Sequence, residues 1–251
     1  MPFSPHGVSS SNAYDFKNIY SVAYIVGDKL NLDSMELEGH QDIIHPEYGF
    51  EFYAPQTYLD EQGRRILIAW VGLPDIDTPS VKNQWAGMLS LPRELRLKEG
   101  YLVQSPLSEL DELKGKREVF SGTHVLKQTS FMLRLELDSD EFALELRNER
   151  GDKVTFSADE NEFTLDRSQM SQSYAQEFGD VRKAPRLSKR QVIDVYVDNS
   201  VMEIFINGGK HTMTSRFFID DLQLVTEQGI KRACYYSMQP VTGLFDQERI
   251  D

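Results

Sequence analysis

The chain has 251 residues, 40% of them hydrophobic, and 40 acidic against 27 basic side chains give it a formal net charge of −13. That length allows one large all-β domain or two smaller ones, with enough apolar residues for a packed core. The charge opposes a nucleic-acid surface, Cys234 as the single cysteine excludes an internal disulfide, and no apolar run reaches membrane-spanning length.

Met1 to Pro5 carries neither a basic stretch nor the hydrophobic run of a signal peptide. Pro2 to Val8 reads as turn material with an apolar edge, as though a preceding strand were missing. Ile19 to Val26 reads as a buried or half-buried strand, with shorter candidates at Lys29 to Leu32 and Met35 to Leu37. Tyr53 to Tyr58 and Arg65 to Trp70 form the clearest strand pair, joined by a turn at Asp60 to Gly63. Trp85 to Leu91 and Leu95 to Leu97 supply a second pair, interrupted by Pro92. Four strands in so short a stretch match one propeller blade, and an ordinary antiparallel sheet reads much the same. Leu107, Leu110 and Leu113 recur at helical spacing before Gly115, which predicts a helical linker over residues 104–115. Residues 1–103 then form the first unit and 116–251 the second. In the second unit Phe131 to Leu137, with Met132 and charges between, and Phe142 to Arg147 carry apolar residues at every second position, and Gln191 to Asp198 and Val201 to Asn207 read as further strands. Many such strands with polar turns, Gly208-Gly209 among them, predict a β-sandwich. The basic run Arg182-Lys183 through Arg186 to Lys189-Arg190 reads as a solvated loop.

Few residues invite a chemical role. His6, His40, His45, His124 and His211 are scattered without ligand spacing, so no metal site is expected. Glycine-rich phosphate loops, GxSxG and HExxH strings are absent. Glu51 stands two residues before Tyr53, so alternation places both side chains on one face. A carboxylate beside a tyrosine and an indole suits a sugar, whose ring faces are weakly apolar and whose edges demand hydrogen bonds. Trp70 and Trp85 are the two tryptophans; packing in the core is the competing role for each, and an arginine ion pair the competing role for Glu51. Asp75 and Asp77 are further polar candidates in the loop, and Arg93-Glu94 reads as a strand-edge ion pair. Glycoside hydrolysis needs two carboxyl groups facing each other across the bond, and no such pair stands out.

The segment EFYAPQTYLDEQGRRILIAW, followed by WAGMLSLPRELRLKEGYLVQSP, resembles glycoside hydrolase family 32, which contains invertases, sucrose-6-phosphate hydrolases, levanases and inulinases. LDRS at 165–168 and IDVYVDNSVMEIFINGGKHTMTSR at 193–216 resemble that family's C-terminal sandwich. The resemblance implies an all-β fold: part of a five-bladed β-propeller (the end of the fourth blade and the fifth) followed by a β-sandwich. It implies a retaining β-fructofuranosidase without metal or organic cofactor, acting on sucrose, sucrose-6-phosphate or fructan. It also implies that Glu51, where the family usually has aspartate, orients pocket residues or contacts fructose, while Tyr53 and Trp70 line the fructose subsite. The family's nucleophile, second aspartate and acid/base glutamate belong to W-[ML]-N-D-P-N-G, R-D-P and E-C-P motifs, and none of these strings occurs here. No catalytic residue is therefore assigned, and the chain is expected to be inactive alone. Two alternatives are one half of a split enzyme, completed by an N-terminal half, and a non-catalytic carbohydrate-binding or homo-oligomerising module. A cytoplasmic location, without membrane or nucleic-acid partners, is the accompanying expectation.

Overall fold

The computed structural model describes residues 2–186 and 191–241. The chain is all-β, a partial propeller followed by a β-sandwich. The first part holds β1 (Pro2–Phe3), β2 (Ala23–Tyr24), β3 (Lys29–Asn31), β4 (Glu36–Glu38), β5 (Tyr53–Leu59), β6 (Arg65–Val71), β7 (Met88–Leu89), β8 (Arg93–Lys98) and β9 (Tyr101–Pro106). Strands β5, β6, β8 and β9 lie side by side in that order as an antiparallel blade, with β7 paired to β6. Ahead of it, β1 pairs with β2 and β3 with β4.

Three expectations change here. The strand foreseen over Ile19 to Val26 shrinks to Ala23–Tyr24, although Ser21 to Tyr24 are all buried. The strand foreseen over Trp85 to Leu91 shrinks to Met88–Leu89, because Ser90 takes over the ladder: its Oγ accepts from Ala69 N at 3.1 Å and its own N–H donates to Ala69 O at 2.9 Å. The blade's fourth strand is instead Tyr101–Pro106, so the foreseen linker begins inside a strand. Beyond β9 the linker is a 3₁₀ helix over Ser108–Leu113. At three residues per turn, Leu110 and Leu113 share one face. That face packs over Met132, Tyr196, Phe205 and Met238.

The sandwich comprises β10 (Lys114–Phe120), β11 (Thr123–Val125), β12 (Ser130–Leu137), β13 (Phe142–Arg147), β14 (Lys153–Ala158), β15 (Glu162–Gln169), β16 (Val181–Pro185), β17 (Ile193–Asp198), β18 (Val201–Ile206), β19 (His211–Arg216), β20 (Gln223–Thr226) and β21 (Ile230–Met238). One sheet runs β10-β21-β12-β17-β18-β19 and the other β11-β20-β13-β14-β15-β16. Alternation sorts the side chains: Phe131, Leu133 and Leu135 of β12 enter the core between the sheets, while Met132 faces the opposite side, under the linker. Asn199, in the left-handed region, and Ser200 close the β17–β18 hairpin, and Gly208-Gly209, both at positive φ, lie in the β18–β19 turn. The basic run is not a solvated loop where it is described. Arg182 sits within β16, buried, with its guanidinium 4.4 Å from the centre of the Phe50 ring; Lys189-Arg190 lies outside the described residues. Among the described residues no helix is long and apolar enough to cross a membrane.

The two parts meet along β19. Residues 47–50 run parallel to this edge strand, with Tyr48 N donating to Thr212 O at 2.9 Å and Phe50 N to Thr214 O at 2.8 Å. Donors and acceptors that an exposed edge would offer to another chain are thereby satisfied within the molecule.

Candidate functional site

Tyr53 opens β5 directly opposite Trp70 of β6, so their side chains share one face of the blade, and both are half-buried. Just after Tyr53 a bulge interrupts the ladder at Ala54, whose φ of 47° is left-handed. The indole of Trp70 needs two glycines behind it. A Cβ at Gly72 would lie 2.4 Å from Nε1, and one at Gly87 only 2.0 Å away. The row continues with Tyr20, whose ring lies 5.1 Å from that of Tyr53, and with His6, stacked on Tyr20 at 4.6 Å. Tyr20 Oη donates to Asp75 Oδ2 at 2.9 Å, and this bond above all raises the hydroxyl's pKa. Asp77 is exposed.

Glu51 behaves differently from Tyr53. It precedes β5, so strand alternation does not extend to it, and it is only 1% exposed. Its Oε1 accepts from Arg167 Nη1 at 2.5 Å and from Tyr174 Oη at 2.6 Å, and its Oε2 from Arg216 N at 2.9 Å. All three donors belong to the sandwich. Burial, and then the charge of Glu51, hold the Tyr174 hydroxyl well above its usual range. Arg167 lies 3.8 Å from the centre of the Phe50 ring, with Arg182 also against that ring. The carboxylate is thus an anchor between the blade and the sandwich, two residues from the aromatic wall. Trp85 stands off that wall, 41% exposed, with Arg216 stacked 4.8 Å from its ring centre.

Arg93 does not pair with Glu94 at a strand edge; Glu94 binds Arg96 instead, at 2.8 Å and 3.0 Å. Arg93 is wholly buried. Its Nη2 donates to Glu203 Oε2 at 2.6 Å and to Thr214 Oγ1 at 3.0 Å. Its Nη1 reaches Glu47 Oε2 at 3.3 Å, Gln104 Oε1 at 3.0 Å and Thr212 Oγ1 at 3.1 Å. Phe52 covers its face at 4.2 Å. Burial raises the Glu203 pKa, and Arg93 together with the Leu91 N–H pulls it back.

Sequence reasoning missed these inward-facing arginines. For Arg167 a signal was present: Phe163, Leu165 and Arg167 alternate along β15 and all three are buried. An arginine at the next apolar position of a core-facing strand needs a buried partner. Among the described residues no group of three His, Cys, Asp or Glu side chains converges to hold a metal ion.

Residues 2–106 match the N-terminal domain of glycosyl hydrolases family 32, and residues 102–239 match that family's C-terminal domain. The chain belongs to glycosyl hydrolases family 32. It is 66% identical over 249 residues to a sucrose-6-phosphate hydrolase of Vibrio alginolyticus, covering 99% of this chain and 51% of the relative. A sucrose-6-phosphate hydrolase of Staphylococcus xylosus is 35% identical, over 90% of this chain and 49% of the relative. The structure of sucrose-6-phosphate hydrolase from Lactobacillus gasseri superposes with a TM-score of 0.85 at 26% identity, covering 95% of this chain and 51% of that one. The chain therefore spans about half the length of these family 32 relatives.

Proposed function

We propose that the chain supplies one wall of the sugar pocket, and the sandwich that braces it, to a retaining β-fructofuranosidase acting on sucrose-6-phosphate or sucrose. The observation that carries this reading is the half-buried pair Tyr53 and Trp70, held opposite each other on the blade while Glu51 fixes the preceding segment to the sandwich. An indole and a phenol on one face give a sugar ring an apolar platform, and the tyrosine hydroxyl adds a hydrogen-bonding edge. Identity with proteins named sucrose-6-phosphate hydrolase supports that substrate class. The role of Glu51 is then to orient the wall, because both its oxygens already accept from the sandwich.

The chemistry is double displacement. A carboxylate attacks the anomeric carbon while an acid protonates the leaving oxygen, and water then releases fructose with the same group acting as base. The family's motifs for those groups do not occur in this sequence, so the wall alone should not turn over substrate.

An assay separates the possibilities. The purified chain should hydrolyse neither sucrose nor sucrose-6-phosphate. Mixing it with the purified N-terminal half of the Vibrio alginolyticus relative should restore activity, and Trp70→Ala should lower kcat/KM of the mixture about 100-fold. Turnover by the chain alone would overturn the proposal, and so would a restored activity indifferent to Trp70.

A further inference from the structure

Arg216 closes β19 and is fully buried; among the described residues its guanidinium lies over the rings of Trp85 and Phe218 and donates hydrogen bonds to neutral oxygens only. Two of its bonds stay within the sandwich: Nε donates to Ser200 O at 3.2 Å and Nη2 to Ser200 Oγ at 3.1 Å. The others cross to the blade side, where Nη1 donates to Ala86 O at 3.0 Å and Nη2 to Ser80 Oγ at 3.2 Å. Burying a cation without a carboxylate is unfavourable, and an apolar side chain of similar volume would fill the space without that penalty. An apolar side chain could not hold the Ala86 carbonyl. Charge-assisted bonds to neutral oxygens are stronger than neutral ones, so this geometry makes sense as a clamp on residues 80–86.

The clamped residues lead to Trp70. Ala86 precedes Gly87, whose α-carbon is so close to the indole that a Cβ there would lie 2.0 Å from Nε1. A shift of the Ala86 peptide therefore moves the surface against which the indole rests. The same residue holds the other side of the wall through its main chain, since Arg216 N donates to Glu51 Oε2 at 2.9 Å just ahead of Tyr53. Thr78 Oγ1 and Ser80 Oγ also reach Ala86 O, at 3.3 Å and 3.4 Å, longer than the arginine's bond.

We infer that Arg216 is a positioning residue: from the sandwich it sets the Trp70 indole and the segment leading into Tyr53, without touching sugar itself. The inference rests on reading Trp70 as the sugar platform. The test reads the setting of Trp70 with no sugar present, so its failure is distinct from failure of that reading.

In a Trp85→Phe background, which keeps an aromatic face against Arg216 and is the parent for every comparison, Trp70 is the only tryptophan of the 251-residue chain. Arg216→Met should then red-shift Trp70 emission and raise its acrylamide quenching roughly two-fold, because the indole loses its backing. Arg216→Lys, which keeps a charge able to reach Ala86 O, should recover part of the change. Ser80→Ala removes the Arg216 bond to Ser80 together with Ser80's own bond to Ala86 O, and leaves both bonds to Ser200, so it should shift Trp70 in the same direction by less; Thr78→Val, which takes a direct bond from Ala86 O and leaves those of Arg216, should shift it less still. Amide protection of β17 and β18 should remain as in the parent. If Arg216→Met loses that protection, Ser80→Ala against Thr78→Val decides, and equal shifts in the two would overturn the inference. Unchanged Trp70 emission and quenching in Ser80→Ala, or in an Arg216→Met that keeps its protection, would overturn the inference.

Discussion

His211 shows what a single buried side chain does to this molecule. It begins β19, is 4% exposed, and among the described residues neither ring nitrogen has a hydrogen-bond partner. Tyr48 lies against its ring, centroids 5.0 Å apart, and Lys210 is the charged neighbour. Burial first, and Lys210 second, push its pKa down to about 4. An unfolded histidine titrates near 6.5, so between these values the unfolded chain binds more protons than the folded one. Stability therefore rises with pH through that window, and is lost as pH falls from about 6.5 through about 4. The loss should be on the order of 3 kcal/mol for this group. His45 has the same sign, lowered by burial and partly restored by Asp15. Urea midpoints at pH 7, 5 and 4 check this: His211→Gln should flatten the decline, and a variant that declines as steeply as the parent would clear His211 of the effect.

Residue patterns also mark what was legible. Tyr53 and Trp70 stood out because aromatic residues sit in neighbouring strands around a tight turn, which is local information. For Glu51 the arginine ion pair, one of the two roles its sequence context allows, is the one the structure holds, but the partner Arg167 lies 116 residues away and has no local signature beside Glu51. No local pattern reports such a pairing, and neither does any local pattern place Arg93 between Glu47 and Glu203.

At the scale of elements, the strands of the sandwich were legible because period-two alternation survives wherever two sheets share a core. Strand β18 escapes that logic: all six residues are buried, since blade and linker cover its outer face. Where side chains take over backbone bonds, as Ser90 does at Ala69, the strand stops earlier than its composition suggests. The joint between the parts depends on one such local detail. Gly49 sits in the parallel segment against β19, where a Cβ would lie 2.1 Å from Thr214 O and 2.3 Å from Thr214 N. Both are main-chain atoms, so no side-chain rotation can relieve the clash. Gly49→Ala should push residues 47–50 off the edge, weaken the bonds of Tyr48 and Phe50 to β19, and destabilise the chain by about 2–4 kcal/mol. Hydrogen exchange at the amides of Tyr48 and Phe50 should accelerate while that of β13 and β14 holds. Equal protection at Tyr48 and Phe50 in both proteins would show that the segment tolerates the added carbon.

Across the whole molecule, the two parts are unequal partners. The sandwich core joins Phe131, Leu144, Phe156, Leu165, Ile204 and many others, whereas the blade's own buried cluster is Val22, Phe52, Leu67 and Ala69, with Leu95 beside it. A core that small gives little independent stability, so the blade depends on what it shares with the sandwich. Arg93 is central to that shared surface, reaching Glu203, Thr212 and Thr214 of the sandwich and Glu47 of the joining segment. Replacing it by methionine keeps most of the volume over Phe52 but leaves two buried carboxylates without their cation. Breaking a buried pair from one side costs about 3–5 kcal/mol. Both tryptophans lie on the blade side of the molecule, so fluorescence follows that part while far-UV circular dichroism follows mainly the sandwich strands. In the parent the two signals should change together on urea titration, as one cooperative unit. In Arg93→Met the fluorescence transition should move to lower urea and separate from the dichroism transition, because the blade now opens while the larger core persists. Coincident transitions with an unshifted midpoint would mean that the apolar contacts across the joint hold the blade in place without the ion cluster.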